Sequence, residues 1–195
     1  MNQQWRQIVV LLMTALISQG CVTVHAPLTT DKDYPLSWGN ISVLGSECKS
    51  LEGNYLNEGI TTVANGVTQP LLLTSVLNLR SSARTVALSV HTRKLDQNGD
   101  AFITLTVVPD GNLADRHELA GCFCVKQTLA CTQINEKYWS VPNLGLGGSQ
   151  KNVYFSMSHD HALIAKLQNY HADVILAIPL FGKKETWAKF SRVEQ

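Results

Sequence analysis

The sequence predicts an all-β fold: a single antiparallel β-barrel or β-sandwich with one short helix. Three observations carry that prediction. From Trp38 onward, short runs rich in β-branched, aromatic and aliphatic residues recur with turn signals between them. Asn98-Gly99, a pair suited to tight hairpin turns, separates two such runs. Only one stretch of the later chain, opening at Pro70, spaces its apolar residues as a helix would.

Each element follows in order. Residues 51–59 read as a strand with glycines at 53 and 59. After Pro70, which suits a first helical turn, Leu72, Val76 and Leu79 fall at i, i+4 and i+7, so a helix is expected over 71–79. Val86, Leu88 and Val90 alternate with Ala87, Ser89 and His91, the period of a half-buried strand that runs on to Leu95. Asp96 to Asp100 turns the chain, and Phe102 to Val108 returns as the partner. Pro109-Asp110-Gly111-Asn112 turns it again. Further strands are expected near 117–126, 129–135, 151–157, 162–170, 173–180 and 185–192. Gly145-Leu146-Gly147-Gly148-Ser149 reads as a flexible connector, since it lacks the Lys-Ser/Thr ending of a phosphate loop. Short strands at this spacing fit a barrel or sandwich.

Charge is nearly balanced, with 16 Lys+Arg against 15 Asp+Glu, which gives no electrostatic basis for a nucleic-acid partner.

The first residues have a different texture. Met1 to Gln7 carry one charge, the positive Arg6, and 8–17 is almost unbroken apolar sequence closed by Ser18-Gln19-Gly20-Cys21. A positive start, an apolar run of about ten residues and a small residue at the cut form a secretory signal. The run is too short for a spanning helix, which needs about 20 apolar residues. With cysteine directly after the small residue, the segment resembles a bacterial lipoprotein signal. That resemblance implies removal of residues 1–20 and acylation of Cys21. It departs from the usual pattern at Ser18, where an aliphatic residue is common. Val22, in place of the Asp that retains such proteins in the inner membrane, implies an outer-membrane address. The mature chain of about 175 residues suits one domain with a real core. Residues 21–37, aperiodic and holding two prolines, read as the lipidated cysteine and its tether, and 38–195 as the β domain.

Five cysteines are an odd number. Acylation of Cys21 leaves Cys48, Cys122, Cys124 and Cys131, four thiols with three possible pairings in an oxidising compartment. Cys122 and Cys124 share a strand face. A hairpin turning near Gln127-Thr128 is expected to set Cys131 opposite Cys124. Cys131 then bridges to one member of the Cys122/Cys124 couple, with Cys48 within reach of the other. Thiolates also suit zinc or copper(I), but neither Cys-x-x-Cys nor a His-x-x-x-His partner is present, so structural disulfides are the expectation.

Gly53-x-Tyr55-x-Asn57, the Leu-rich helical segment and the ending Ile178-Pro179…Trp187-x-x-Phe190 together resemble a group of uncharacterised proteobacterial outer-membrane lipoproteins. The resemblance implies the architecture and the envelope address, and no activity. Trp187 and Phe190 read as core and rim of the last strand.

Other candidate chemistry is thin. His159-Asp160-His161 lies between two apolar runs, where a solvated turn belongs. Asp115, His117 and His171 are scattered. No Gly-x-Ser-x-Gly nucleophile elbow is present, and Asp96 to Asp100 lacks the ligand series of a calcium loop. No cofactor signature is found. The expectation is a non-enzymatic, lipid-anchored envelope module facing the periplasm. Its partners would be membrane lipid through Cys21 and either an envelope protein or a small apolar ligand. The alternative is a periplasmic hydrolase or metal-binding enzyme using the His/Cys cluster.

Overall fold

A computed structural model of the chain describes residues 33–42, 44–45, 47–62, 67–95, 101–125, 128–140, 145–175 and 178–194. The proposed signal, Cys21 and the turn 96–100 lie outside them. Among these residues eleven strands form one antiparallel sheet: β1 Ile41–Ser42, β2 Gly53–Leu56, β3 Glu58–Thr62, β4 Thr68–Leu72, β5 Thr85–Leu95, β6 Ala101–Pro109, β7 His117–Val125, β8 Thr128–Ser140, β9 Gly145–Ser158, β10 Leu163–Ile175 and β11 Ile178–Phe190. The predicted all-β class is what the chain adopts. The strand order is β2-β5-β6-β7-β8-β9-β10-β11-β3-β4, with β1 alongside β9.

The strands form one continuous sheet, and its strand ladder is not closed into a barrel. Its ends nevertheless meet. β2 and β3 are consecutive, separated only by Asn57, yet they stand near opposite ends of the strand order. Past β11, the backbone N–H of Leu56 donates to Ser191 O at 2.9 Å and that of Val193 donates to Asn54 O at 2.8 Å. These two bonds, around the pairing of Tyr55 with Arg192, fasten the tail after β11 to β2.

Alternation along the strands decides which residues face inward. Val86, Leu88 and Val90 on β5 meet Ile103, Leu105 and Val107 on β6 in one buried cluster. That cluster continues through Leu129, Val153, Phe155, Leu163, Ala165 and Phe190. Among the described residues the inner face of the sheet is packed with side chains. Leu44, Cys48 and Leu51 reach it from the segment before β2, and Leu73, Val76 and Leu77 reach it from the single helical turn α1, Leu73–Val76.

Several sequence expectations are corrected. The helix expected over 71–79 is only the turn Leu73–Val76, because Pro70, Leu71 and Leu72 are drawn into β4 against β3. Pro70 is tolerated there because β4 is an edge strand. Gly145 to Ser149 is no connector but the first stretch of β9, paired with β8 and β10. The last three expected strands are two long ones, β10 and β11, whose register closes at Ile175 opposite Ile178. The turn at 109–112 forms as expected, with Asp110 and Gly111 both at positive φ. Packing starts before Trp38, inside the expected tether. Tyr34 sets its ring edge-on to Trp187 at 5.1 Å, and Trp38, Ile41 and Ile164 complete this second cluster on the outer face of the sheet.

Candidate functional site

The four cysteines of the domain are paired with one another. Cys48 bonds Cys124 and Cys122 bonds Cys131, with Cα–Cα distances of 5.8 and 4.2 Å. Cys131 does bridge the Cys122/Cys124 couple, but the expected register was wrong. Val125 pairs with Thr128, which sets Cys122, not Cys124, opposite Cys131. Cys124 then faces the segment carrying Cys48. Thiols held as disulfides are not thiolate ligands, so the reading that assigned chemistry to a His/Cys cluster loses its sulfur donors.

His159, Asp160 and His161 form the turn between β9 and β10, all three exposed, with His161 at φ 60°. Asp160 is the anchored member. Lys189 Nζ donates to its Oδ2 at 2.7 Å, and the Ser158 hydroxyl contacts its Oδ1. Those two bonds, Lys189 first, hold the Asp160 carboxyl below the usual carboxylate range. Beside this turn lies a shallow depression of about 460 Å³ lined by Gly53, Asn54, Asp160, His161, Arg192 and Glu194. The Arg192 guanidinium donates to Glu52 O at 2.5 Å and lies over Gly53, where a side chain would collide with it. His117 and His171 stand on β7 and β10, and Asp115 lies in the turn Leu113–Asp115. Among the described residues no group of three or more His, Cys, Asp or Glu side chains is arranged to hold a metal ion.

The most organised polar array was not singled out in the sequence. It lies on the outer face of β9, β10 and β11, where strand register aligns side chains in rows. Tyr154, Lys166 and Trp187 form one row, Asn152, Gln168 and Glu185 the next, and Gln150, Tyr170 and Lys183 a third. Glu185 is the hub. Its Oε1 accepts from Lys183 Nζ at 2.5 Å and Gln168 Nε2 at 2.7 Å, and its Oε2 lies 3.5 Å from Lys166 Nζ. Tyr170 donates its hydroxyl to Gln168 Oε1 at 3.0 Å, and Gln150 donates to Asn152 Oδ1 at 3.0 Å. The Lys166 ammonium also stands 5.2 Å from the centre of the Trp187 ring, within cation–π range. Burial pushes the Glu185 carboxyl up, but the Lys183 hydrogen bond and the Lys166 charge outweigh it and leave the group below its ordinary range. An ionised carboxylate with this many donors already on it is a poor general base. The array orders a polar-aromatic layer that is buried at Asn152, Lys166, Gln168 and Trp187 and exposed at Tyr170 and Lys183.

The resemblance motif also resolves into structural roles. Tyr55 is fully buried and donates its hydroxyl to Leu51 O at 2.8 Å, and burial pushes its phenol up to about 12. Asn57 holds the break between β2 and β3, and Phe190 fills the inner core while Trp187 sits in the outer cluster. No family model, curated protein or solved structure matches this chain.

Proposed function

We propose that this chain is a lipid-anchored protein of the bacterial envelope, held at the outer membrane through acylated Cys21 and facing the periplasm. In this reading its β domain is a non-enzymatic binding or structural module. One observation carries the proposal: the apolar run ending in Gly20-Cys21, in a chain whose other four cysteines pair with one another. Five thiols make no complete set of disulfides, and acylation gives the fifth a use. Two bridges in a domain of this size also suit an oxidising compartment.

The packed inner face bears on the partner. A small apolar ligand needs an enclosed space, and here Leu44, Leu51, Leu73, Val76 and Leu77 pack on that face. This favours a partner that meets the outer surface. Fatty-acid labelling tests the anchor. Expressed in a bacterial host, the wild-type chain should incorporate radioactive palmitate and Cys21→Ser should not. Equal labelling of both would sink the proposal.

A further inference from the structure

We infer that the outer face of the β3–β4 hairpin rests on the lipid surface to which the chain is tethered; the inference rests on the anchor reading above. On either side of Asn57, alternation turns Leu56 of β2 and Glu58 and Ile60 of β3 outward, and the β3–β4 register sets Pro70 beside Ile60 and Leu72 beside Glu58. Leu56, Ile60 and Leu72 are 43, 44 and 39 % exposed, and Pro70 is exposed between them. Ile60, Pro70 and Leu72 on this strand pair, with Leu56 at the end of β2 just before it, set four exposed apolar side chains around Glu58, a grouping of a kind that marks interaction sites. On its inner side β3 pairs with β11, whose Lys189 stands beside Ile60 and whose Trp187 stands beside Thr62.

That adjacency locates the tether. Trp187 is the residue Tyr34 packs against, so the chain leading from Cys21 joins the domain on this outer face, next to the patch. Leu36, in the turn Leu36–Trp38 of the same segment, is 90 % exposed. From Cys21 to Asp33 the chain reaches at most about 40 Å even when fully extended. A domain of this length is itself about 40 Å across, from a radius of gyration near 15 Å. Turning the opposite face to the bilayer would therefore need a fully stretched tether, whereas this face needs almost none. Attachment also makes the contact intramolecular, so a modest apolar patch suffices.

The edge argues against a protein that adds a strand. β4 ends the strand order, and Pro70 in its middle has no N–H to offer a further strand. A lipid surface requires no backbone donors. Glu58, exposed within the patch, keeps the contact shallow, at headgroup depth.

The test uses the mature lipidated protein in phosphatidylethanolamine–phosphatidylcholine vesicles with brominated acyl chains, which quench nearby tryptophan. Leu72→Trp and Ile60→Trp should lose roughly twofold more added fluorescence than Ala120→Trp, as expected for apolar side chains at the headgroup–acyl boundary. Ala120 is an exposed residue of β7, well away in strand order. Adding Leu56→Asp to Leu72→Trp should reduce the quenching. Flotation with the vesicles is scored first. Protein that does not float lacks its anchor, which removes both this inference and the reading beneath it. Protein that floats with Leu72→Trp quenched no more than Ala120→Trp keeps its anchor and overturns this inference alone, leaving the patch to a protein partner.

Discussion

Asn57 Oδ1 accepts a hydrogen bond at 2.9 Å from the backbone N–H of Thr74, tying the break between β2 and β3 to the helical turn that packs on the inner face of the sheet. The same side chain donates through Nδ2 to Ala83 O at 2.7 Å. Its own carbonyl accepts from Leu73 N at 2.7 Å, and its N–H donates to Arg84 O at 2.9 Å. One almost fully buried amide thus joins the place where the strand changes neighbours, the helical turn and the approach to β5.

Asn57→Ala should therefore be costly. It strands the Thr74 N–H and the Ala83 carbonyl, at about 1–3 kcal/mol for each unsatisfied buried group. Denaturant unfolding should show a loss of roughly 2–4 kcal/mol. Asn57→Asp keeps the acceptor but loses the donor to Ala83 and buries a charge, so it should not restore stability. A loss below about half a kcal/mol in Asn57→Ala would mean the helical turn is held by packing alone.

The two disulfides should differ in worth. Cys48–Cys124 spans 76 residues and Cys122–Cys131 only 9. By loop-closure entropy their contributions are about 4.5 and about 2.6 kcal/mol. The Cys48→Ser/Cys124→Ser pair should thus melt lower than Cys122→Ser/Cys131→Ser. Non-reducing peptide mapping should recover these two bridges, and a Cys124–Cys131 peptide would refute the register.

Gly59 has no room for a side chain. A β-carbon there would meet the Phe190 ring and the Lys189 carbonyl, and the carbonyl belongs to a paired strand that cannot step aside. Gly59→Ala should cost about 1–3 kcal/mol, in the range of overpacking. Ala at Gly45, where the added carbon meets nothing within 4 Å, is the control and should be nearly neutral.

Acid should weaken the outer face. The carboxyls of Glu185 and Asp160 both lie below their ordinary values in the folded chain. Their stabilisation is fully present above the unfolded carboxylate values near 4 and is lost as pH falls through the lower folded ones. Melting temperature should fall below about pH 4, with Glu185→Gln flattening that fall more than Asp160→Asn. Asp160 is the more exposed partner, so solvent screens its pair with Lys189. An unchanged acid limb in Glu185→Gln would remove Glu185 from the hub.

Much of the architecture was legible because it is local. The two-residue alternation of Val86, Leu88 and Val90 and the turn at Pro109-Asp110-Gly111-Asn112 depend on neighbours in sequence, and the odd cysteine count needs only composition. The class, several strands and the use of cysteines in bridges followed from them. The candidate surfaces were less legible. The Glu185 array joins residues from three strands, and nothing in the spacing of Lys166, Gln168, Lys183 and Glu185 names their partners.

By itself, the sequence determined the β class, the separate texture of residues 1–20 and the candidate lipid site at Cys21. The tertiary structure decided everything that depends on register and on competition between elements. Pro70 and Leu72 suit a helix, but pairing with Ile60 and Glu58 satisfies their backbone in a strand, so the helix shrinks to one turn. The glycines at 145, 147 and 148 look like a linker until β8 supplies backbone partners to all three and β10 pairs with 147 and 148 from the other side. Cys131 faces Cys122 because the hairpin closes at Val125 and Thr128, and a shift of even one residue would have turned its side chain to the other face. Long-range backbone pairing outweighs local preference at each of these points, and a single sequence does not display it.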